Sequence, residues 1–163
     1  MRIYLDVCCL NRPFDDQKQE RIRLEAETVL LILERCQKGQ WELVGSEAIW
    51  FEITQIPDEE RRQKVLALAK LKKEMVVINQ EIVNRAIFLE KNSVPAMDAI
   101  HLACAESAEV DVFLTTDDLL LKKAKRIGKI LKVRVANPVH WLMEVLGSEK
   151  NNDDASRDKT RGD

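Results

Sequence analysis

Apolar and polar positions alternate in short blocks along the chain, and the blocks change period as they go. RIYLDV opens as a strand with Ile3 and Leu5 on one face, ending at Asp6. A loop with Asn11, Arg12 and Pro13 follows, and Asp16 with Gln19 three residues on has the pattern of a helix-starting cap. From there to about Lys38, Ile22, Ala26, Val29, Leu30 and Leu33 recur at helical spacing, and Gly39 stops the helix. WELVG is a short strand, and SEAIWFEITQI is a helix capped by Ser46 and closed by Pro57. DEERRQKVLALAKLKKE is a helix, acidic at its start and basic at its end as the helix dipole favours. MVVI is a brief extended piece; QEIVNRAIFLEKN and PAMDAIHLACAESA are helices, the second with Pro95 in its first turn. DVFLTT is a strand, DLLLKKAKRIG a helix and KILKVRVAN a strand, with a last helix from Pro138 to about Leu146.

Strands alternating with helices predict an α/β domain with a mainly parallel sheet, occupying residues 1–146. The remainder, GSEKNNDDASRDKTRGD, has no apolar residue larger than alanine and is expected to be a disordered polar tail over 147–163.

Composition narrows this picture. No apolar run approaches the roughly 20 residues of a membrane span. MRIYLDVCCL meets an aspartate too early for a signal peptide, so a soluble, cytoplasmic protein is expected. Cys8, Cys9, Cys36 and Cys104 lack zinc or redox spacing, and the latter two lie in apolar helical patterns, where a thiol packs as a small hydrophobe. A net charge of −2 argues against a passive nucleic-acid coat protein but leaves room for a local basic patch.

Four carboxylates fit their surroundings poorly. Asp6 and Asp117 each end a strand, and parallel neighbours place such ends side by side, where α/β folds bind ligands. Each also has a plain alternative, Asp6 turning the chain and Asp117 capping the next helix. Asp98 lies on a helix that is apolar nearly all round, where a carboxylate needs a partner or a cation, although the helix dipole alone also favours an acid there. Glu52 shares a stripe with Ala48, Ile49 and Ile56, whereas Glu47, in the first turn after Ser46, is explained by the dipole. Converging carboxylates repel, and a hard divalent cation such as Mg²⁺ or Mn²⁺ resolves the repulsion while activating water.

Together IYLDVCCLN, SEAIWFE, VPAMDAIHLACAE, FLTTDDLLLKKAKRIG and VRVANPVHWL resemble, in order and over roughly residues 2–142, the PIN domain of VapC-type toxins and related ribonucleases. The resemblance implies a three-layer α/β/α fold with a central parallel sheet. It implies a cleft of Asp6, Glu52, Asp98 and Asp117, with metal on Asp6, Asp98 and Asp117. It also implies hydrolysis of single-stranded RNA with Mg²⁺ or Mn²⁺, homodimerisation and, for a toxin, a small antitoxin partner blocking the cleft or the groove beside it. Thr115 resembles the family's hydroxyl near the fourth acid. Many members carry Ser or Thr two residues after the first Asp, where this chain has Cys8, a poorer hydrogen-bonding group. Asn11 is a candidate for the missing polar contact, and Arg12 for a substrate-binding cation.

Other signals read two ways. Lys122, Lys123, Lys125, Arg126, Lys129, Lys132 and Arg134 form a run without an acid, which suits either phosphate contacts or a solvated helix face. His101, one turn after Asp98, suits proton transfer, metal binding or a hydrogen-bonded core position. Trp41, Trp50 and Trp141 are too scattered for a base-stacking platform. A metal-dependent endoribonuclease is the leading reading. The alternatives are a PIN-like RNA-binding or scaffold protein with little or no catalysis, and a phosphatase with an aspartyl nucleophile. The phosphatase ranks low because Cys8 stands where its second Asp is usual.

Overall fold

The computed structural model describes residues 1–160. Five parallel strands, β1 (Arg2–Leu5), β2 (Glu42–Ser46), β3 (Glu74–Val76), β4 (Val112–Leu114) and β5 (Val135–Ala136), form one sheet in the order β3-β2-β1-β4-β5. Helices cover both faces in a three-layer α/β/α arrangement. They are α1 (Val7–Asn11), α2 (Glu20–Gln37), α3 (Glu47–Thr54), α4 (Glu59–Ala69), α5 (Gln80–Lys91), α6 (Ala96–Ser107), α7 (Asp118–Arg126) and α8 (Pro138–Thr160), with a 3₁₀ turn at Arg12–Phe14. Ile3, Tyr4 and Leu5 are all fully buried, which a central parallel strand requires because neither of its faces meets water.

The strand order positions the site. The chain leaves β1 outward to β2 and β3, then returns to the other side of β1 for β4 and β5. β1 and β4 are therefore neighbours on either side of the reversal, in register Leu5↔Leu114, and their carboxyl ends flank the crevice where open α/β sheets bind ligands. The Asp6 N–H donates to Leu114 O at 2.9 Å, so β1 stays tied to β4 one residue past its own end.

Four local expectations are corrected. The loop after Asp6 is mostly helical, as α1 and the 3₁₀ turn. The Asp16–Gln19 cap does not form: α2 begins at Glu20 behind Gln19, which makes no side-chain cap bond, and Asp16 Oδ1 instead accepts from Lys18 N. KILKVRVAN is strand only at Val135–Ala136, because its earlier backbone donors are taken in a turn around Ile127 and, at Lys132, by the Glu106 carboxylate. The tail expected to be disordered continues α8 as exposed helix to Thr160. Propagating a helix is far easier than nucleating one. Here the nucleus is packed: Trp141 and Leu142 are buried, Trp141 meets Trp41 edge-on at 5.2 Å, and no proline follows Pro138. Arg35 of α2 also pairs with Glu149 at 2.8 Å, beyond the expected end. Residues 161–163 of that tail lie outside the described residues.

No helix among the described residues is long and apolar enough to cross a membrane. Cys9, Cys36 and Cys104 are buried and all four cysteines are free, as packing thiols would be.

Candidate functional site

Asp6 follows β1 directly and serves as the N-cap of α1. Its Oδ1 accepts from Val7 N at 2.8 Å, and its Oδ2 accepts from Thr115 Oγ1 at 2.9 Å and from Cys8 Sγ at 3.4 Å. The side chain is buried, and burial raises its pKa above the ordinary range, with His101 and Thr115 opposing and Glu52 adding to the rise. Thr115 does two things at once: it donates to Asp6 and accepts from Asp117 N at 3.2 Å, coupling the ends of β1 and β4. Cys8 fills a comparable place, with its sulfur 3.3 Å from Thr115 Oγ1 and accepting from Thr116 N at 3.4 Å.

Asp117 caps α7 through one oxygen, Oδ1, which accepts from Leu119 N and Leu120 N. The capping alternative is therefore met, and the second oxygen is not used by it. Asp98, in the first turn of α6, is half-buried; its pKa is raised to about 6, by burial first and then by the charges of Asp6, Asp117 and Glu52. Asp98 and Asp117 line one open cavity of about 430 Å³ with Lys122, Lys123 and Arg126. Part of the basic run thus faces the acids across a single cleft.

Glu52 arrives on α3, which packs against α6. Its Oε2 lies 3.7 Å from Nε2 of His101, a residue with no exposed surface. Oxygens of Asp6 and Glu52 and a ring nitrogen of His101 all fall within 4.8 Å of one another. Glu47, by contrast, accepts from Ile78 N at 2.8 Å and has a structural task.

The four acids taken from the sequence therefore meet at one crevice, in two tiers. The buried Asp6 and His101 form an inner corner with the part-exposed Glu52, while Asp98 and Asp117 line the open mouth. The tightest ligand-like group is Asp6, Glu52 and His101, rather than the Asp6, Asp98 and Asp117 set that the resemblance implies. Asn11 and Arg12 turn elsewhere. Asn11 donates to Val7 O and accepts from Arg61, and Arg12 binds Asp15 and Glu25. The polar partner of Asp6 expected from Asn11 is supplied by Cys8 itself. Tyr4 holds His101 and is itself bonded by Ser46 of the neighbouring strand, and these roles carry no signal in the sequence because they depend on the strand order.

The donor set is chemically suited to a divalent cation: hard carboxylate oxygens, partly desolvated and mutually repelling, around a buried imidazole nitrogen that has no hydrogen-bond partner.

No family model matches the sequence, and no curated protein matches it. Solved structures do. A chain of the VapBC2 complex of Rickettsia felis, bound to a DNA fragment from its promoter, superposes with a TM-score of 0.56 at 14% identity, covering 84% of this chain and 98% of that one. A toxin–antitoxin complex from Klebsiella pneumoniae matches with a TM-score of 0.53 at 18% identity, over 83% of this chain and 97% of the other. VapBC-1 of nontypeable Haemophilus influenzae gives 0.50 at 15%, over 85% and 98%. At these identities the likeness establishes a shared PIN-like fold.

Proposed function

We propose that the chain is a metal-dependent endoribonuclease of the cytoplasm, the toxin of a toxin–antitoxin pair, that hydrolyses phosphodiester bonds of single-stranded RNA. The observation that carries this reading is the meeting of four carboxylates at the β1/β4 reversal with Lys122, Lys123 and Arg126 in the same cleft. A pure RNA binder has no use for clustered negative charge facing a polyanion. Bound there, Mg²⁺ or Mn²⁺ would supply an activated water and offset charge on the phosphate. Asp6 and Glu52 would hold it from the inner corner, and Asp98 and Asp117 from the mouth.

The chain's own groups do the rest. Thr115 and the Val7 N–H fix the Asp6 carboxylate in one orientation. Lys122, Lys123 and Arg126 attract the RNA backbone and place a phosphate beside the acids. Burial and the neighbouring acids raise the Asp98 pKa to about 6 in the metal-free chain, a repulsion that a bound cation would relieve.

The neighbours' toxin–antitoxin assemblies support a small antitoxin as partner here. Trp50 and Phe51 are exposed on α3 beside Glu52, and they offer such a partner, or a second copy of the chain, an apolar foothold at the site. The Cys8 departure gives the scaffold alternative some weight; against it, the Cys8 thiol lies 3.4 Å from Asp6 Oδ2, in the hydrogen-bonding place beside that acid.

The test is cleavage of a mixed single-stranded RNA pool with Mg²⁺ or Mn²⁺. Cleavage by the wild type is expected, falling on the order of 10²-fold or more in Asp98→Asn and stopping with excess chelator. Equal cleavage under all three conditions would sink the assignment.

A further inference from the structure

Among the described residues, one buried side-chain polar atom lacks a hydrogen-bond partner, and it faces the acidic crevice. His101 is fully buried, yet its Nε2 has no hydrogen-bond partner, although leaving a buried polar atom unpaired costs about 1–3 kcal/mol. The opposite ring nitrogen is firmly held. Nδ1 lies 2.7 Å from Tyr4 Oη, which lies 2.7 Å from Ser46 Oγ. Ser46 Oγ also accepts from Ile49 N at 3.1 Å.

In the tautomer that carries its proton on Nδ1, Nδ1–H donates to Tyr4 and Tyr4 O–H donates to Ser46. The Nε2 lone pair then faces Asp6 and Glu52. A lone pair aimed at two carboxylates is repulsive unless a cation stands between them. The distance agrees: 3.7 Å from Nε2 to Glu52 Oε2 is too long for a hydrogen bond. It lies within the span of two ligands on one ion, about 3 Å for adjacent and about 4.2 Å for opposite positions with bonds near 2.1 Å. Metal-bound histidines characteristically donate their other N–H to a fixed acceptor, as Tyr4 allows here.

We propose that His101 is a direct metal ligand through Nε2, completing a mixed oxygen–nitrogen site with Asp6 and Glu52, its Nδ1 held by the Tyr4–Ser46 pair. The inference rests on the metal-dependent reading above and departs from it in the donor set. An imidazole ligand shifts the preference away from Mg²⁺, which favours oxygen, toward transition ions.

The test is pulsed electron paramagnetic resonance of Mn²⁺ bound to the untagged full chain. The sequence has only two histidines, so His140→Gln, at an exposed position on α8, leaves His101 as the sole imidazole. With ¹⁵N-histidine labelling of that variant, a directly coordinated ¹⁵N coupling is expected. In His101→Gln the imidazole coupling should vanish and Mn²⁺ affinity should fall on the order of tenfold. The labelling result stands even if His101→Gln does not fold. Stoichiometric Mn²⁺ binding without histidine coupling would overturn the ligand role and leave the nuclease reading intact. No Mn²⁺ binding at all would overturn both.

Discussion

Two carboxylates are buried at opposite sides of the same α1 region, and they are balanced in different ways. Glu25 of α2 has almost no exposed surface and is surrounded by Arg12 at 3.1 Å, Arg21 at 3.6 Å and Asn137 at 2.7 Å. Asp6 is nearly as buried but is bonded by neutral donors only, and another carboxylate, Glu52, lies close by. A buried charge with its counter-ions inside the chain is a structural element. A buried charge whose neighbours are further acids has its electrostatic balance completed from outside, and that is the mark of a binding site.

The largest contrast should appear in stability. Removing one partner of a buried ion pair leaves the other charge uncompensated, so Arg12→Ala should cost about 3 kcal/mol at neutral pH, reduced somewhat by the remaining Arg21 and Asn137 contacts. Chemical denaturation would read this, and divalent ions should not restore it. Asp98→Asn should do the opposite in metal-free buffer, raising stability by about 1 kcal/mol once screening of a half-exposed side chain is allowed for. The same variant should lose most of the thermal shift that Mn²⁺ gives the wild type. Destabilisation by Asp98→Asn without metal would break the comparison.

A pH series sharpens it. The Asp98 pKa is raised to about 6, so the folded chain holds a proton that the unfolded chain has released. The metal-free protein should therefore lose stability as pH rises from about 4 through 6. Metal binding, which needs the carboxylate ionised, should strengthen over the same interval. The metal-induced shift in melting temperature should consequently be larger at pH 7.5 than at pH 5, and an equal shift at both would contradict the assigned repulsion. The smallest effect belongs to Cys8→Ser. Its hydroxyl would replace a 3.4 Å sulfur contact to Asp6 with a shorter bond, changing metal affinity by about 0.5–1 kcal/mol, measurable by titration calorimetry.

Much of this was readable from residues alone, and the rest failed for identifiable reasons. Period and turn residues disclosed the α/β alternation, and the strand-end positions of Asp6 and Asp117 pointed to the crevice. Glu52 could be preferred to Glu47 from helical phase. His101 kept open readings because spacing places it beside Asp98 but says nothing of Tyr4, which reaches it across 97 positions of sequence, or of Ser46, which bonds Tyr4 across 42. Arg12 was read as a substrate-binding cation because sequence spacing gives no sign that Glu25, 13 positions on, meets it. The tail misled for a simpler reason: composition describes an isolated segment, whereas this one extends a helix anchored by Trp141.

The central claim, that the inner corner at the end of β1 is a metal site, is tested most directly by anomalous diffraction from crystals of the chain soaked in Mn²⁺. The account predicts a peak within coordination distance of Asp6 and Glu52. Full soaking with no peak there, or a peak only at surface carboxylates, would contradict it.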